Sequence, residues 1–409
     1  MKIVLVNKYW YMRGGSERVV FATKKLLESA GHKVEIFGLK HPENIIENNY
    51  FIDHISYSGA KGLNKLRMAC KSIYNKDAKN KFEKLLIDFK PDVVHFHNIY
   101  HQLSFSLLDV VRQRNIPSVM TLHDYKMISP NYNMFHHGKI DETCCGKKYY
   151  KCILNNCMEN MGESIVATLE ACMRKWKKYS DVIDAYIAPS EFVREKHIAH
   201  GINKAHISTV ANPVDEVDIS SSEKDGGYVL FFGRLSAEKG LDVLLDASKQ
   251  IPDILIKIVG TGPMESILKS RIRDEQLNNV ELLGFKQDKD LDKLISHAQL
   301  VVAPSVWYEV LGLSILEAKL AGKVVVGSEI GAIPESLPSE LLCKPSDSGD
   351  LAQKMQTWYG APFEKINSLG KQFRKEVQEK HNPKKYASKI YILCPSWQRN
   401  WVRSLNQIK

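Results

Sequence analysis

Short β-branched runs alternate with helical patterns from the N-terminus, and the same alternation starts again in the middle of the chain. Near the N-terminus, Ile3-Val-Leu-Val6 is followed by a polar, glycine-containing loop and by residues 16–30, whose apolar positions recur at helical spacing. Gly31 stands where a helix-ending glycine is expected, and Val34 and Ile36 begin a second strand. This β-α-β order predicts a parallel, doubly wound sheet.

The alternation continues through the first half and is then interrupted. The runs 92–96, 118–122 and 186–190 read as further strands, and residues 104–114 carry a helical pattern. Residues 124 to about 180 are rich in Tyr, Asn, Cys and Lys and do not follow the alternation. We therefore predict an insertion over the strand ends.

A second series of strands begins after a polar segment. Serines, charged residues and paired glycines between Asn212 and Gly227 predict a linker. A chain of 409 residues also exceeds the ~250–300 residues that one core usually spans. We expect an α/β protein with two Rossmann-like doubly wound domains, 1–212 and 213–383, facing a central cleft. The strands expected in the second domain are 228–232, 254–259, 280–283, 300–303 and 324–326.

A formal net charge of +10 indicates an anionic partner, which leaves nucleic acid, an acidic membrane surface and a phosphorylated substrate as alternatives. Basic residues concentrate in 61–90 and 174–179. Their apolar neighbours, such as Leu66 and Trp176, suit a helix lying on anionic lipid, although a solvated helix face explains a charge run equally well.

The N-terminus reads directly into a strand and lacks the features of a secretory signal, and no run reaches the ~18–20 apolar residues of a membrane-spanning helix. We expect a cytoplasmic protein, with any membrane contact peripheral to the inner face of the plasma membrane.

The eight cysteines do not form a disulfide framework in the sequence, and we expect them to be reduced. Four of them cluster shortly after the histidines at 136–137, and together these side chains form a ligand set that zinc could use. Paired C-x-x-C spacings are missing, so reduced thiols in a loop-rich insertion are the main interpretation and a structural zinc is the alternative. The cluster consists of Cys144, Cys145, Cys152 and Cys157.

Two motifs in the second half carry the clearest chemistry. In Phe232-Gly-Arg-Leu-Ser-Ala-Glu-Lys-Gly240, Arg234 and Lys239 follow a strand end and are positioned to place two cations on a leaving pyrophosphate. In Glu309-Val-Leu-Gly-Leu-Ser-Ile-Leu-Glu317, the first carboxylate precedes a predicted helix and the second lies inside it. Phosphate is favoured at the N-terminus of that helix by free backbone N–H groups and the helix dipole. The residues at this terminus are Gly312, Leu313 and Ser314.

This combination resembles the retaining glycosyltransferase family 4, whose two-domain architecture is called GT-B, through most of the chain. The resemblance implies that Arg234 and Lys239 neutralise the pyrophosphate of a nucleotide-sugar in place of a metal. It also implies that Glu309 contacts the donor sugar hydroxyls and that Glu317 hydrogen-bonds the ribose. We therefore expect no cofactor beyond a UDP- or GDP-sugar donor.

Further donor-site candidates follow from the same resemblance. Val259-Gly-Thr-Gly-Pro263 and Leu283-Gly-Phe285 stand where the family has its V-G-x-G-P and L-G-F segments, the latter near the nucleobase. Gly233, Gly262 and Phe285 are the candidates that these segments and the strand-end motif supply. The stretch from Pro383 resembles the family's terminal helices, which implies a helix at about 384–409 packed back on the first domain.

The first β-α loop, Arg13-Gly14-Gly15-Ser16-Glu17, is the candidate ligand loop of the first domain. Its glycines permit close backbone approach and Ser16 is predicted to cap the following helix, but a plain tight turn explains the loop equally well. The G-x-G-x-x-G fingerprint of dinucleotide-binding folds is missing, which disfavours an NAD(P) oxidoreductase. By resemblance, Gly14 and Gly15 are donor-site candidates. Arg13, in the same loop, is an acceptor candidate.

Three histidines stand at predicted strand ends in the first domain. His123 occupies the place of a family histidine near the reacting centre, so the resemblance makes it a catalytic candidate. His95 and His97 flank Phe96 and point to one face. A third metal ligand is not evident, so we prefer two other roles to metal binding: contact with the acceptor, for which His97 is the candidate, or simple packing.

Asp288-Lys-Asp-Leu-Asp292 contains D-x-D, which holds a divalent metal in the other large glycosyltransferase class. Here it precedes a helical pattern, so helix capping explains it better and we predict no catalytic metal.

The sequence thus predicts a retaining glycosyltransferase of the hexosyltransferase type. Its acceptor is expected to be a glycan or a lipid-pyrophosphate-linked glycan in the synthesis of surface polysaccharide such as O-antigen, lipopolysaccharide or capsule. A nucleotide-sugar epimerase of the same architecture and a basic nucleic-acid-binding protein remain as alternatives.

Overall fold

The computed structural model describes residues 1–54, 62–214 and 226–393. The chain divides into two compact units. Unit 1 contains residues 1–137, 141–214 and the C-terminal segment from 383, and unit 2 contains residues 138–140 and 215–382. Most of the predicted linker, and the part of the predicted C-terminal helix beyond Leu393, lie outside the described residues.

Unit 1 is built on a six-stranded parallel sheet with the order β2-β1-β3-β4-β7-β8. In the centre of the sheet, Ile3 pairs with Val34 on one side and with Val93 on the other. The central strands are almost wholly buried, because helices cover both faces, and this explains their continuous apolar runs. The strands in this part of the chain are β1 (Lys2–Val6), β2 (Lys33–Phe37), β3 (Val93–Phe96), β4 (Ser118–Thr121), β5 (Phe135–His136), β6 (Lys139–Ile140), β7 (Ala185–Ala188) and β8 (Ile207–Thr209).

The helices of unit 1 surround this sheet. The first helix begins at Gly15 with Gly14 as its N-cap residue, and the Ser16 hydroxyl donates to Glu17 at 3.0 Å. The prediction that Ser16 caps this helix is wrong, because a residue already inside the first turn cannot accept from the amides that a cap satisfies. The helices up to residue 214 are α1 (Gly15–Ser29), α2 (Leu63–Ile73), α3 (Lys76–Phe89), α4 (Ser106–Arg114), α5 (Lys151–Leu154), α6 (Met161–Trp176) and α7 (Glu191–Ala199).

Unit 2 repeats the architecture with a six-stranded parallel sheet of order β11-β10-β9-β12-β13-β14. Its core is formed by the strand residues and by helix residues that face them, such as Leu244, Leu268 and Phe373. The strands are β9 (Tyr228–Phe232), β10 (Leu255–Val259), β11 (Val280–Leu282), β12 (Leu300–Ala303), β13 (Val325–Ser328) and β14 (Leu342–Cys343). The helices are α8 (Leu241–Ser248), α9 (Glu265–Asp274), α10 (Asp288–His297), α11 (Leu313–Leu320), α12 (Ser348–Tyr359) and α13 (Phe363–Lys380).

The last described helix, α14 (Pro383–Leu393), belongs to unit 1 and packs on α1. The Tyr386 hydroxyl lies 3.0 Å from Thr23 Oγ1, and both side chains are buried. Tyr386 and Ile390 join the same apolar cluster as Ile3 and Val20. Helix α14 therefore completes the core of the unit in which the chain begins.

The prediction of two Rossmann-like sheets is confirmed. In these two sheets the sequence missed β8 and β14, which have three and two residues, too few for a visible pattern. It also missed the two-residue strands β5 and β6. None of the described helices combines the length and the apolar content that crossing a bilayer requires.

Candidate functional site

The carboxyl edge of the unit 2 sheet is formed by loops in close backbone contact. The Gly233 N–H donates to the carbonyl of Val259, the last residue of β10, at 3.0 Å, and the Leu235 N–H donates to the Thr261 carbonyl at 2.9 Å, which joins the loops after β9 and β10. A Cβ on Gly260 would lie 1.8 Å from the Gly233 oxygen, and one on Gly262 would lie 2.3 Å from the Leu235 oxygen. Glycine is therefore required here, because only a bare Cα lets the two loops approach.

The two predicted cations stand on the loop after β9. Arg234 is exposed, and across the described ranges its guanidinium has no hydrogen-bond or ion-pair partner. Lys239 ends a short 3-10 turn, and its Nζ lies 2.5 Å from Glu309 Oε1. The structure thus brings Lys239 and Glu309 together and leaves the Arg234 charge available to a ligand.

Glu309 is 6% exposed and lies in the loop between β12 and α11. Its Oε1 also accepts a hydrogen bond from the Ser305 hydroxyl at 2.8 Å. Burial opposes ionisation of this carboxyl, but the charge of Lys239 and the hydrogen bonds from Lys239 and Ser305 outweigh it, so its pKa lies below the usual range. Glu309 is therefore a fixed carboxylate at neutral pH.

Sequence reasoning missed the residues that hold Glu309 in place. The Ala332 N–H donates to the Glu309 carbonyl at 2.9 Å, and a Cβ on Gly331 would lie 2.4 Å from the Glu309 nitrogen. Gly331 also has a φ of 61°, which favours glycine. On the other side, a Cβ on Gly240 would lie 1.9 Å from the Pro304 oxygen. Isolated glycines beyond strand ends were the available signal, but only tertiary contact identifies what they approach.

The N-terminus of α11 lies directly after the Glu309 loop. Gly312 is the N-cap residue with a φ of 72°, and Leu313 and Ser314 begin the helix half-buried. Glu317 lies four residues after Leu313, in the second turn. The first backbone N–H groups of a helix have no partner within it, so those at this terminus are available to an anion.

Phe285 is 64% exposed on the loop after β11. The Gly284 carbonyl accepts from the Gly260 N–H at 2.9 Å, so this loop joins the same edge. Asp288 and Asp290 lie in the first turn of α10, but Gln287 is the N-cap residue. The two acidic residues therefore lie at the positive end of the helix dipole, as their predicted position before a helix required. The N-cap residue, however, is Gln287, one position before the D-x-D motif.

The corresponding edge of unit 1 carries stacked imidazoles. His97 Nδ1 lies 2.8 Å from His123 Nε2, and the rings of His95 and His97 stack with centroids 4.3 Å apart. His95 Nε2 also lies 2.8 Å from the hydroxyl of Thr121. The structure brings together the three histidines that the sequence placed on neighbouring strand ends.

Burial keeps these imidazoles neutral. Desolvation lowers the pKa of His95 to about 3 and that of His123 to about 4. Desolvation and the neighbouring imidazoles hold the pKa of His97 well below its usual range. His97 Nε2 is buried and has no hydrogen-bond partner within the described residues, so it can meet a polar group of a ligand.

A buried ion pair supports the same edge and was not predicted. Lys126, on the loop after β4, lies 2.6 Å from Glu170 of α6, and both side chains are 1% exposed. Lys126 Nζ also donates to the Pro130 carbonyl at 2.9 Å. Burial raises the pKa of Asp124 on the same loop to about 6. The pair anchors the segment that follows His123 to helix α6.

The glycine loop of unit 1 lies next to Tyr9. Arg13 is exposed, with its guanidinium carbon 4.6 Å from the Tyr9 ring centre. Gly14 is extended, and a Cβ there would have only a Glu17 carboxylate oxygen within 4 Å, at 3.6 Å. Packing inside the unit therefore does not require glycine at position 14, and Gly15 forms the first turn of α1.

The cysteine cluster differs from both sequence interpretations. Cys152 and Cys157 form a disulfide, whereas Cys144 and Cys145 are buried free thiols. The expectation that all cysteines are reduced is wrong for Cys152 and Cys157, because the chain turns between these two residues, five positions apart, and brings their sulfurs together. A four-cysteine zinc site is not formed, since two of its ligands are bonded to each other, and the described residues contain no group of three or more potential ligands arranged to hold a metal.

Comparison with known proteins agrees with this architecture. Residues 13–145 match the family model described as Glycosyltransferase Family 4, and residues 215–376 match the one described as Glycosyl transferases group 1. An uncharacterized 42.6 kDa protein in the cps region of Klebsiella pneumoniae is 26% identical over 355 residues, which is 82% of this chain and 87% of that protein.

Solved structures share the fold. Sucrose-phosphate synthase of Thermosynechococcus elongatus superposes with a TM-score of 0.70 at 18% identity, covering 100% of each chain. HepE of Anabaena, solved with UDP and glucose, superposes with a TM-score of 0.65 at 18% identity, covering 95% of this chain and 98% of its own. The fold and the family matches define an enzyme class: the chain is a glycosyltransferase with GT-B architecture. Within that class it belongs to the family 4 type.

Proposed function

We propose that the protein is a retaining glycosyltransferase that moves a sugar from a UDP- or GDP-sugar to a glycan or lipid-pyrophosphate-linked glycan. We place it at the inner face of the plasma membrane, in the synthesis of surface polysaccharide. The relative in a cps region and the HepE structure with UDP and glucose support the pathway class and the donor class respectively.

The observation that carries the proposal is the charge arrangement at the carboxyl edge of the unit 2 sheet. Arg234 is exposed without a partner in the described chain, and Lys239 is fixed by the buried carboxylate of Glu309. Negative charge grows on the departing diphosphate during transfer, and preorganised cations stabilise it without reorganising at the moment of reaction. The amides at Gly312, Leu313 and Ser314 would bind phosphate oxygens of the same group.

The remaining donor contacts follow the motif positions. We assign Glu309 to the sugar hydroxyls, Glu317 to the ribose and Phe285 to the nucleobase. Gly233 and Gly262 keep the backbone close enough for these contacts. The exposed ring of Phe285 supports stacking on a base.

The ionised state of Glu309 excludes it as the acid that protonates the leaving group. Its lowered pKa makes it a carboxylate at neutral pH, so it does not supply a proton to the leaving group. In the retaining route that we propose, the acceptor hydroxyl attacks on the face that the diphosphate leaves, and the diphosphate itself takes the acceptor proton. The oxocarbenium-like sugar is then stabilised by nearby carboxylate charge.

In unit 1 we assign His123 to the reacting centre and Gly14 and Gly15 to donor phosphate contact. We assign Arg13 and His97 to the acceptor. A neutral imidazole at His123 can hydrogen-bond a sugar hydroxyl without adding charge, and its lowered pKa supports that role.

The first experiment replaces Lys239 or Glu309 by Ala and measures sugar transfer and nucleotide release. Loss of one preorganised charge should lower kcat by on the order of a hundred- to a thousand-fold. Lys371→Ala, at an exposed position of α13, is the matched control and should remain active. Circular dichroism checks folding of all variants. Near-normal turnover in either site variant would refute the site assignment.

Product analysis separates the mechanistic alternatives. NMR of the new glycosidic bond should show the anomeric configuration of the donor, and inversion would overturn the retaining assignment. Incubation of donor without acceptor should yield no epimerised nucleotide-sugar, since an epimerase needs no acceptor. Thermal shifts with UDP-, GDP-, ADP- and dTDP-sugars would identify the donor base, because bound ligand stabilises the folded protein.

A further inference from the structure

Helix α6 of unit 1 presents its large apolar side chains to solvent. At about 100° per residue, the exposed residues fall within an arc of about 80° along the whole helix. Trp176 is 79% exposed and Leu169 is 50% exposed. We call this set the α6 stripe, and it consists of Met161, Ile165, Leu169, Cys172 and Trp176.

The buried face of the same helix is small and charged. Glu170 pairs with Lys126 beneath the helix. The guanidinium carbon of Arg174 lies 5.6 Å from the Tyr149 ring centre. The other buried residues are Ser164, Ala167, Thr168 and Ala171. An ordinary surface helix buries its large apolar residues and exposes its charges, so the amphipathicity of α6 is inverted.

Neighbouring elements extend this apolar surface. Tyr150 and Leu154, next to and within α5, are exposed, and α5 packs against α6. Leu66 is exposed on α2, which also packs against α6. Six of the thirteen exposed large hydrophobic side chains in the described residues lie between 150 and 176. Exposed apolar residues are therefore clustered in this segment and not scattered singly over the surface.

Basic residues border the stripe. Lysines at 147, 148, 151, 175 and 178 outnumber the exposed acids between 147 and 181, which are Glu159, Glu163 and Asp181. The charge of Lys177 is paired with Asp109 at 3.0 Å. A pocket of about 450 Å³ beside Trp176 is lined by Arg112, Trp176, Lys177, Lys178 and Asp181. Helix α2 contains no acidic residue. The surroundings of the stripe are therefore net positive.

We propose that the α6 stripe is a membrane-docking surface, with its apolar side chains in the interface of an anionic bilayer and the lysines on lipid phosphates. Apolar burial and attraction to anionic headgroups add together on such a surface. A second copy of the chain would bring like charges together, so the charge pattern favours lipid over self-association. The role of this surface rests on the proposed lipid-linked acceptor, which would require the enzyme at a membrane.

The test measures co-sedimentation with phosphatidylcholine vesicles and with vesicles that also contain phosphatidylglycerol. Wild type should bind the anionic vesicles and lose binding in high salt, since screening weakens surface electrostatics. The triple variant Ile165→Ser, Leu169→Ser and Trp176→Ser should lower the partition coefficient on the order of tenfold or more. These side chains are exposed, so the fold should survive the change.

Matched controls lie in unit 2. Ile267→Ser and Phe363→Ser replace exposed apolar residues that do not belong to the stripe, and both variants should bind like wild type. The double variant Lys175→Glu, Lys178→Glu should lose binding to the anionic vesicles. The control Lys289→Glu, Lys371→Glu makes the same change of charge at exposed positions in unit 2 and should bind these vesicles better than that variant. Brominated lipid should quench wild-type fluorescence, and Trp176→Phe should remove most of the quenching.

Three results would overturn the proposal: no vesicle binding by wild type, unchanged binding by the triple variant, or a wild-type dimer in sedimentation velocity that the triple variant converts to monomer. Nucleotide release with a water-soluble acceptor keeps this proposal separate from the catalytic one. Stripe variants should retain that activity, whereas Lys239→Ala should lose it and still bind vesicles.

Discussion

The carboxyl edges of the two sheets use the same architecture for different electrostatics. In unit 2, glycines bring the strand-end loops into contact and fixed charges stand on them, namely an exposed Arg234 and the Lys239–Glu309 pair. In unit 1, the edge carries the stacked His95, His97 and His123, which burial keeps neutral. One edge suits a diphosphate and the other suits uncharged hydroxyls.

The ion pairs of the two units also differ in their exposure to solvent. In unit 2 the ion pair lies at the edge, where Lys239 remains partly exposed. In unit 1 the pair of Lys126 and Glu170 is wholly buried beneath α6. Lys239 therefore keeps part of its charge in contact with solvent while Glu309 is buried, whereas both members of the anchoring pair in unit 1 are removed from water. The following changes test that distinction.

The largest effect is expected from Lys126→Met. It leaves the Glu170 carboxylate buried without a cation, and breaking such a pair costs about 3–5 kcal/mol of folding stability. Chemical denaturation of unit 1 should show this loss, and Lys126→Met combined with Glu170→Leu should recover much of it. Nucleotide binding should persist wherever the protein is folded. A loss below about 1 kcal/mol, the value typical of surface ion pairs, would mean that the anchor is dispensable.

A smaller effect is expected from Gly331→Ala. The new Cβ would meet the Glu309 backbone in a left-handed conformation, so stability should fall by about 1–3 kcal/mol. Donor affinity, measured by calorimetry, should fall as well because Glu309 must move. Gly31→Ala is the control, since Gly31 also has a positive φ, of 80°, but an added Cβ would have no atom within 4 Å. Equal effects on donor affinity would remove Gly331 from the site.

The neutral imidazoles predict a pH dependence in unit 1. His95 has a pKa of about 3 when folded against 6.5 normally, because burial disfavours its cation. Between these pH values the unfolded chain binds a proton at His95 that the folded chain does not bind. The stability that the neutral His95 contributes is therefore fully present above about pH 6.5 and is lost as the pH falls toward 3.

Lowering the pH from about 7.5 to 5.5 should therefore remove about 1.4 kcal/mol through this group. Hydrogen exchange of β3 amides, corrected for intrinsic rates, should report the loss, and His95→Gln should show a correspondingly shallower dependence. If His95→Gln showed the same pH dependence of stability as wild type, His95 would not be a buried, neutral imidazole in the folded protein.

The smallest expected effect is that of chelation. EDTA should leave sugar transfer unchanged, because we propose that Arg234 and Lys239 stabilise the diphosphate. Asp288→Asn with Asp290→Asn should change turnover little, since both carboxylates lie in the first turn of α10. Activity lost in EDTA and restored by Mn²⁺ would reject this expectation.

Local periodicity was enough for much of the fold. The runs at 228–232, 280–283 and 300–303 became strands nearly unchanged, because parallel strands buried on both faces carry continuous apolar sequence. The two-residue strand β14 and the cap at Gly14 were not visible, since so few residues carry no period. The disulfide between Cys152 and Cys157 was missed because spacing alone does not bring sulfurs together.

By itself the sequence determined the class of the protein: repeated strand and helix patterns specify the two sheets, and the motifs from 232 to 240 and from 309 to 317 specify the glycosyltransferase. Only the tertiary structure decided which groups meet. It paired Lys239 with Glu309, placed Gly331 against the Glu309 backbone, buried Glu170 beneath α6 and turned Trp176 outward. The physical reason is that periodicity reflects local conformation, whereas burial and charge pairing depend on residues distant in the chain.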